Sequence, residues 1–485
     1  MSAETNQTVI VGGGPTGLSA AYHLDGDWTL LEGAPHLGGW AKSILADGFT
    51  FDYAGHIIFT NDEYAKQLFN LFLGENIHYQ QREAFIYSKN TFTLYPYQGN
   101  TYGLPDEVLQ ENILGAVQAY LKYPDDYKPK HFRDWMDTFG EGIANNFLVP
   151  YNKKLWKGVP LEEISVDWLG GRVPQPSVEQ IIDGAINVPK KNMGPNAYFG
   201  YPLRGGFNAI MNGLIGRLDD SGPLLTNKRV TGVRVRDKVV EVDGGAEEYA
   251  YETLVNTMSL PQFIGICDKV PQSIKDAAAR LRWISIQCVN IGIENNRTDK
   301  HWIYYPEDDT IFHRIFVQGN ASPYCKPHPA TSGYTAEISY IPGQGRPQDV
   351  LGEQGLIDRV VRDLETVGLK QPTDAVLHAS VVDMPVAYVV YEENRKPTVQ
   401  LIKVWLEDHG IHTAGRFGDW EYYNTDHSLL AGKRVADTVN NAMSRTAQAE
   451  RKQSAAERVR AQMEAAGITT NHADEWAKVA AAHKS

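Results

Sequence analysis

The hydrophobic pattern at the start of the chain is a series of short apolar runs separated by glycines. Residues 8–11 are apolar and β-branched, residues 12–17 read Gly-Gly-Gly-Pro-Thr-Gly, and residues 18–24 are small and mostly apolar, which is typical of a closely packed helix. A second apolar run at residues 28–31 ends at Glu32. Strand, glycine turn, helix, strand and acid together predict a βαβ unit.

Helical periodicity follows between about residues 106 and 191 and predicts an inserted helical domain. The apolar residues on one expected face of its first helix are Leu109, Ile113, Ala116, Val117 and Tyr120. Beyond this region the period changes to two. Residues 227–242 alternate between apolar and polar side chains, which predicts an antiparallel strand.

Further short apolar or aromatic runs predict a mixed sheet in the second half of the chain. They lie at residues 284–293, 302–305, 311–317, 335–340 and 375–382. Residues 428–443 then have the pattern of a helix. Residues 446–466 are rich in Ala, Glu, Arg and Gln, so we expect a solvated helix or a frayed tail there.

Composition narrows the classes of protein. The chain has 485 residues, for which about three domains are expected. With 46 basic and 59 acidic side chains the formal charge is −13, so a dense basic surface for nucleic acid or an anionic membrane is not expected. Hydrophobic residues make up 42% of the chain and charged residues 22%, as in a globular protein.

The cysteines, the N-terminus and the lengths of the apolar runs predict the cellular compartment of the protein. The three cysteines, Cys267, Cys288 and Cys325, have no CxxC spacing, so neither a disulfide framework nor a thiolate zinc site is predicted. The N-terminus lacks the basic residues and the long apolar run of a signal peptide. No 18 consecutive apolar residues occur. We therefore expect a cytoplasmic protein in a reducing environment, with homo-oligomerisation left open.

The first glycine cluster has the spacing of a dinucleotide site. In Gly12-x-Gly14-x-x-Gly17 the missing side chains allow a tight turn, close approach to a pyrophosphate and packing of the helix on the strand. The helix N-terminus stabilises the negative charge of that pyrophosphate. Glu32, fifteen residues after Gly17, stands where a carboxylate can accept hydrogen bonds from a ribose.

Two more glycine segments favour FAD over NAD, because they resemble those of the glutathione-reductase-like flavoproteins. They are residues 38–40 (Gly-Gly-Trp) and residues 414–420, shortly before a final helix near Asp426. With no second fingerprint, NAD(P)H would bind only transiently as reductant. The residues expected to contact FAD are Gly12, Gly14, Thr16, Gly17, Glu32, Gly39, Trp40, Gly55, His56, Val230, Gly415, Arg416, Asn424, Thr425 and Ser428.

The fold class predicted is therefore α/β, with a Rossmann-like FAD-binding domain of the glutathione-reductase type, an inserted helical domain and a mixed or antiparallel sheet domain. The FAD-binding domain is expected to be discontinuous and to comprise residues 1–80, 200–260 and 405–445. Residues 105–195 would form the helical substrate domain, and residues 81–104 with 261–404 the sheet domain. Residues 446–485 would be a C-terminal helix or tail.

Ten short motifs between about residues 8 and 440 together resemble UDP-galactopyranose mutase, and its longer eukaryotic-type branch more than the bacterial one. They include residues 54–59 (AGHIIF), 95–98 (YPYQ), 150–156 (PYNKKLW), 168–172 (WLGGR), 194–196 (GPN), 302–306 (WIYYP) and 424–427 (NTDH), with Arg204, Arg314, Tyr388, Arg416 and Tyr422 at family spacing. Alanine at position 54 replaces a family glycine, which leaves the mobility of the histidine loop open. Tyr97 replaces a phenylalanine.

The resemblance implies a site for a nucleotide-diphosphate sugar. Its candidate catalytic residues are His56, Arg82, Arg172 and Arg314. Its candidate substrate-binding residues are Phe59, Tyr95, Tyr97, Gln98, Asn152, Trp156, Asn196, Trp302, Tyr304, Tyr388, Tyr422 and Asn424. Arginine also suits a diphosphate on physical grounds, because its forked donors stay charged at every relevant pH.

The implied activity is a flavin-dependent mutase that interconverts the pyranose and furanose forms of a nucleotide-diphosphate hexose, most simply UDP-galactopyranose and UDP-galactofuranose. In the family N5 of reduced FAD attacks the anomeric carbon and displaces the nucleotide diphosphate. The protein then supplies orientation and charge neutralisation rather than a catalytic triad.

Three alternatives stay open from the sequence. The sugar side departs from the eukaryotic pattern at Lys154, Lys157, Gly200 and residues 389–390, so the substrate could be another nucleotide hexose such as a GDP-sugar. The same fold also serves amine-oxidase-like oxidoreductases, which would want an apolar or aromatic pocket at the flavin. A third alternative is a nucleotide-sugar or FAD-binding protein without catalysis.

Overall fold

The computed structural model describes residues 6–124, 126–169, 173–188, 197–218, 222–442, 461 and 465. Its strands are β1 (Asn6–Val11), β2 (Trp28–Leu31), β3 (Ser43–Ala46), β4 (Phe49–Asp52), β5 (His78–Gln81), β6 (Ala84–Ser88), β7 (Thr91–Leu94), β8 (Tyr198–Tyr201), β9 (Leu224–Leu225), β10 (Val230–Arg234), β11 (Val239–Val242), β12 (Glu247–Asn256), β13 (Trp283–Ile293), β14 (Trp302–Tyr304), β15 (Arg314–Phe316), β16 (Ser332–Tyr340), β17 (Val376–Val389) and β18 (Ile411–Thr413).

Helices connect and cover these strands. They are α1 (Pro15–His23), α2 (Glu63–Leu73), α3 (Asp106–Lys122), α4 (Phe132–Asp137), α5 (Glu141–Ile143), α6 (Val149–Leu155), α7 (Val178–Ile186), α8 (Asn208–Ile215), α9 (Leu260–Ile266), α10 (Gln272–Ala279), α11 (Gln318–Ala321), α12 (Pro347–Leu351), α13 (Glu353–Thr366), α14 (Arg395–Glu407), α15 (Gly415–Gly418) and α16 (Thr425–Ala442). A π-helical segment, Ala144–Leu148, precedes α6, and 3₁₀ turns lie at Tyr97–Gly99, Leu161–Glu163 and Pro323–Cys325.

The first sheet contains the predicted βαβ unit. Its order is β10-β11-β12-β1-β2-β9, and β18 also pairs with β12. Strand β1 runs parallel to both β2 and β12. Because β1 and β2 are parallel and buried, their carboxyl ends meet at one edge, where Gly12 and Glu32 follow them.

The second sheet has the order β17-β13-β16-β15-β14-β6-β7. Its described neighbours are antiparallel except for β14 and β6. The register sets Arg314 opposite both Tyr304 and Glu337 on the adjacent strands. Strand β17, at the edge of the sheet, ends with Tyr388 and Val389. This sheet therefore brings several predicted site residues to neighbouring positions.

One expectation for the strands needs correction, and one strand was not predicted. Residues 227–242 form two strands, β10 and β11, joined by a turn in which Lys238 has a positive φ of 54°. The long strand β12, which joins the hairpin to β1, was not predicted. Its half that pairs with β11 is polar, so no continuous apolar run marks it.

The face by which α3 packs was predicted only in part, since Ala116 is buried as expected and Leu109 is partly buried against the core. Val117 and Tyr120 are exposed, and the buried positions are those of a narrower, smaller face: Val108, Asn112, Gly115, Ala116 and Ala119. Gly115 explains the difference. A Cβ there would lie 2.8 Å from the backbone nitrogen of Gly142, so α3 and α5 approach more closely than larger side chains would allow.

Within the described ranges, no helix is long and apolar enough to cross a membrane. The same part of the chain contains no group of three or more histidine, cysteine, aspartate or glutamate side chains that could hold a metal ion. The three cysteines are free thiols and all are buried.

Buried histidines should make the fold sensitive to acid. Burial lowers the pKa of His301 and of His56 to about 4, and that of His313 well below its usual value. Between pH 6.5 and 4 the unfolded chain therefore binds protons that the folded chain does not, and stability falls as the pH falls. Burial raises the pKa of Asp52 to about 6, so this one carboxyl group stabilises the fold as the pH falls and offsets part of the effect of the three histidines.

We expect the free energy of unfolding to drop between pH 7.5 and 5.5, by about 1 kcal/mol for each of His301 and His313. Urea denaturation at several pH values measures this. The variant His301→Gln should show a shallower dependence on pH than the parent protein, whatever its stability at pH 7.5. An equal dependence of the free energy of unfolding on pH in the two proteins would contradict the lowered pKa of His301.

Candidate functional site

The glycine-rich loop between β1 and α1 has no room for side chains at two of its glycines. Gly12 has a φ of +104°, and a Cβ on it would lie 2.4 Å from Oγ1 of Thr257. A Cβ on Gly17 would lie 1.9 Å from the carbonyl oxygen of Gly12. The sequence therefore permits a turn in which α1 packs directly against the end of β1.

Gly14 and Gly39 pack against each other beside the start of α1. A Cβ on Gly14 would lie 3.7 Å from Cα of Gly39, and one on Gly39 would lie 3.0 Å from Cα of Gly14. Gly14 is the N-cap of α1 and offers no capping side chain. Neither glycine places a side chain over the N-terminus of α1, and a helix N-terminus of this kind binds the pyrophosphate in dinucleotide sites.

Other predicted cofactor residues lie near this contact. Glu32 accepts hydrogen bonds from the backbone N–H of Gly13 (2.8 Å) and of Ala34 (2.7 Å), which fixes its carboxylate at the end of β2. Gly415, with a φ of +87°, packs against Thr16 so closely that a Cβ would meet Oγ1 at 2.3 Å. The two distant glycine segments thus meet at α1.

The remaining expected cofactor residues lie at element ends. Val230 begins β10, Asn424 directly precedes α16, and Thr425 and Ser428 lie in its first turn. Helix α16 packs on α1, where Ser19 Oγ donates a 2.6 Å hydrogen bond to the carbonyl of Leu429. Trp40 donates its indole N–H to the carbonyl of Val386 at 3.0 Å and stacks on Tyr53. It therefore links the second glycine segment to β17.

The histidine loop at residues 54–59 lies between the two sheets. Ala54 has a positive φ of 67° where the related family has glycine, so this alanine is in the left-handed region. Gly55 donates its N–H to Oε1 of Glu337 at 3.1 Å, and a Cβ on it would lie 2.5 Å from the Trp302 ring. The start of the loop is thereby fixed against β14 and β16.

His56 is neutral at physiological pH. Desolvation, together with the charges of Arg416 and Arg314, lowers its pKa to about 4. Nδ1 lies 3.2 Å from the carbonyl oxygen of Ala54, so Nδ1 carries the proton and Nε2 keeps its lone pair. The imidazole stacks on the ring of Phe207 with centroids 4.8 Å apart. Phe59, at the other end of the loop, packs against the core beneath the first sheet.

Two arginines lie within cation–π distance of the Trp302 ring. The guanidinium of Arg82 is 5.0 Å and that of Arg314 4.7 Å from the indole ring. Arg82 donates to the Tyr304 hydroxyl at 3.0 Å, and Tyr304 in turn stacks on Tyr95 with centroids 5.3 Å apart. Cationic and aromatic groups therefore alternate along this side of the site.

Arg314 is the most constrained of these cations. It donates to both carboxylate oxygens of the fully buried Glu337 and, at 2.8 Å, to the Tyr388 hydroxyl. The nearby negative groups, Glu337 first, raise the pKa of Arg314 against the opposing effect of burial, so its charge is permanent. Since the oxygens of Tyr304 and Tyr388 both accept from arginines, their own O–H protons remain free to donate to a ligand.

Two further aromatic rings contact Tyr388. Its ring stacks on Tyr422 at 5.7 Å with the planes 14° apart, and Trp156 meets it edge-on at 6.1 Å. Arg416 lies 4.7 Å from the Tyr422 ring and donates to the carbonyl oxygens of Ala387 and Tyr423. We call the residues Arg82, Trp302, Tyr304, Arg314, Tyr388 and Tyr422 the arginine–aromatic cluster.

The structure places three predicted substrate residues in packed interior positions. Tyr97 is fully buried, stacks on Phe147 and accepts a hydrogen bond from Asn112, so a base would have to displace core contacts to reach its ring. Gln98 donates to the carbonyl of Pro174 at 2.7 Å. Asn152 donates to the carbonyl of Leu148 at 2.8 Å. Tyr95 is the ring of this element that contacts the cluster.

Lys154, a departure from the family pattern, also points away from the cluster. Its Nζ donates to the carbonyl of Glu307 at 2.7 Å and to Oγ1 of Thr310 at 3.0 Å. Burial lowers the pKa of Lys154 to about 8. It holds α6 to the loop between β14 and β15. Arg172 and Asn196, both predicted to bind substrate, lie outside the described residues, as does most of the predicted segment 446–466.

Sequence reasoning missed Glu337, Tyr151 and Phe207. Glu337 lies within an apolar run and has no motif around it, although its fully buried position opposite Arg314 is a consequence of strand register. Tyr151 meets Tyr304 edge-on at 5.3 Å. Its position within the PYNKKLW motif was a signal that could have identified it.

Comparison with known proteins gives the context of this geometry. Residues 10–72 match the family model described as an NAD(P)-binding Rossmann-like domain. The crystal structure of a reduced UDP-galactopyranose mutase is similar over 91% of this chain and 96% of its own, with 26% identity and a TM-score of 0.83. Cyclohexylamine oxidase from Brevibacterium oxydans covers 91% of this chain and 100% of its own, with 15% identity and a TM-score of 0.62.

A redesigned putrescine oxidase is similar over 90% of this chain and 99% of its own, with 14% identity and a TM-score of 0.61. At these identities the two oxidases share the fold alone. The predictions of a Rossmann-like α/β chain with several sheets, of FAD as its dinucleotide and of a resemblance to UDP-galactopyranose mutase are confirmed.

Proposed function

We propose that the chain is a flavin-dependent mutase that interconverts the pyranose and furanose forms of a nucleotide-diphosphate hexose, with UDP-galactopyranose as the first candidate substrate. The observation that carries the proposal is that Arg82 and Arg314 both lie beside the Trp302 ring and each donates to a tyrosine hydroxyl. Two fixed cations and two free phenolic protons suit a diphosphate joined to a hydroxylated sugar.

Supporting evidence comes from the similarity to a reduced UDP-galactopyranose mutase over 91% of the chain. Gly14 and Gly39 leave the N-terminus of α1 free of side chains, as a bound FAD pyrophosphate requires, and Gly415, which precedes Arg416, packs on Thr16 of the same helix. When bound there in its reduced form, FAD would supply a nucleophilic ring nitrogen. His56 and Gly55 would lie along its isoalloxazine, and Thr16 and Thr425 near its phosphates and ring.

The protein's own contribution would be binding and charge neutralisation. Arg314 and Arg82 would stabilise negative charge on the departing diphosphate, with Tyr388 and Tyr304 as neutral donors. The indole N–H groups of Trp156 and Trp302 are buried and have no hydrogen-bond partner among the described residues, which leaves two donors at the cluster unsatisfied. The neutral His56 would accept a hydrogen bond through Nε2 rather than add charge.

An amine-oxidase-like activity is the second candidate, since two amine oxidases share the fold. The stacked rings of Tyr388 and Tyr422 would suit an aromatic pocket at a flavin. Against it stand the guanidinium groups of Arg314 and Arg416 beside those rings, because they would repel a protonated amine. A mutase for a GDP-sugar would bind the same diphosphate and would differ at the base, and the arginine–aromatic cluster does not distinguish uracil from guanine.

The test is a direct assay. The protein is purified, its flavin spectrum recorded, and the dithionite-reduced form incubated with a panel of UDP- and GDP-hexopyranoses, with products read by chromatography and NMR. We expect a furanose product from one nucleotide sugar with the reduced protein and none with the oxidised protein. Absence of isomerisation for every sugar, with bound flavin that amines reduce, would replace the proposal with an oxidase. The three free thiols suit the cytoplasm as the setting we propose.

A further inference from the structure

Asp52, the last residue of β4, is a fully buried carboxylate without a cation. None of the described lysine, arginine or histidine side chains pairs with it, and it is instead held by three neutral donors. Oδ1 accepts from Ser43 Oγ at 2.6 Å and from the Phe207 N–H at 3.1 Å, and Oδ2 accepts from the Tyr201 hydroxyl at 2.6 Å. A buried charge held by neutral donors is costly, so it marks a functional constraint rather than a gain in stability.

The three donors come from three separate segments. Ser43 lies on β3, Tyr201 ends β8, and Phe207 precedes α8. Gly206 adds to the close packing, because a Cβ on it would lie 2.4 Å from Ser43 Oγ. Asp52 therefore fixes the backbone of Phe207, whose ring stacks on the His56 imidazole.

We infer that Asp52 is a positioning residue for His56, acting through the N–H of Phe207 and the ring on which the imidazole rests. The inference rests on the proposed function for its catalytic meaning, because there His56 lies beside the flavin. His56 has only one described hydrogen bond, to the carbonyl of Ala54. Its orientation therefore depends on the Phe207 ring behind it.

The groups that face Asp52 allow a specific pH readout. The titratable ones are Tyr201 on β8 and Cys325 at the end of the 3₁₀ turn, and burial raises the pKa of both, that of Cys325 to about 12. Burial raises the pKa of Asp52 itself to about 6, and that of His56 is lowered to about 4. Between pH 8 and 5 Asp52 is thus the group here that changes charge.

The experiment follows the His56 ring by NMR in protein labelled at histidine, with His56→Asn for assignment. In the parent protein we expect the His56 resonances to shift with a midpoint near pH 6, reporting protonation of Asp52 rather than of the imidazole. In Asp52→Asn this transition should vanish, and the absorbance spectrum of bound flavin should shift. If the parent is a mutase, kcat of the variant should fall about tenfold with KM changed less than twofold.

Asp134→Asn is the matched control. Asp134 Oδ2 also accepts from a tyrosine hydroxyl, that of Tyr127 at 2.8 Å, and from a backbone N–H, that of Lys130 at 2.9 Å, but it lies in the helical region. This variant should leave the His56 resonances and the flavin spectrum unchanged. Tyr201→Phe keeps the ring and removes one donor, and should move the midpoint upward even if Asp52→Asn fails to fold.

Two results would overturn the inference. One is a His56 signal in Asp52→Asn that matches the parent at every pH. The other is a parent signal with no transition between pH 8 and 5, together with no change in Tyr201→Phe. Both are measured on the resting protein. Failure of the proposed function, seen as no isomerisation by the parent enzyme, is therefore separate from failure of this inference.

Discussion

Replacing Arg314 with lysine is expected to abolish measurable turnover, a fall of at least roughly 10³-fold in kcat/KM, while FAD stays bound. The guanidinium makes bonds to both oxygens of Glu337 and a third to Tyr388, and a single ammonium cannot reproduce that fork. The Tyr388 hydroxyl and the fully buried Glu337 would both lose a fixed partner. Steady-state kinetics of the reduced enzyme, with flavin content from absorbance, measures the effect.

Arg297→Lys provides a matched control for this variant. Arg297 also donates through Nε and Nη2 to both oxygens of one carboxylate, that of Asp374, but it lies outside the arginine–aromatic cluster. Its kinetics should be those of the parent. Unchanged turnover in Arg314→Lys would remove Arg314 from the proposed mechanism, whereas loss of flavin from that variant would show that the arginine supports the cofactor instead.

The fold was predictable where a local pattern coincides with a physical requirement. The run at residues 28–31 is a strand with those bounds, because a parallel strand buried on both faces needs apolar side chains throughout. Strand β12 escaped prediction because its first half, paired in a hairpin, is polar on both sides. The buried face of α3 was misassigned in part because small residues at close contacts carry little hydrophobic signal.

The candidate site was predictable only in part, for a similar reason. Motifs identified Trp302, Arg314 and Tyr388 because each lies in a distinctive short segment, and the sheet brings them together. Glu337, which holds Arg314, becomes visible only through strand register. Tyr97 is buried because it stacks on Phe147, and Tyr95 contacts the cluster because it stacks on Tyr304; both partner rings lie on other segments of the chain. Local sequence does not encode such distant contacts.

Replacing Gly14 with alanine should have the second large effect, through loss of FAD with the fold retained. A Cβ on Gly14 meets only Cα of Gly39, at an ordinary 3.7 Å, and the backbone φ of −79° suits alanine. The methyl group would, however, stand at the N-terminus of α1, where we place the pyrophosphate. We expect the Kd for FAD to rise by about 10- to 100-fold, with little change in the melting temperature of the apoprotein.

Two other glycines separate an effect on the cofactor from an effect on the fold. Gly265→Ala, in α9, places a Cβ in open space and should weaken neither FAD binding nor the stability of the fold. Gly17→Ala places a Cβ 1.9 Å from the carbonyl of Gly12 and should lose folded protein together with FAD. If Gly14→Ala instead binds FAD as the parent does, the pyrophosphate does not lie against Gly14 at the N-terminus of α1, and the assignment of this loop to the cofactor would be wrong.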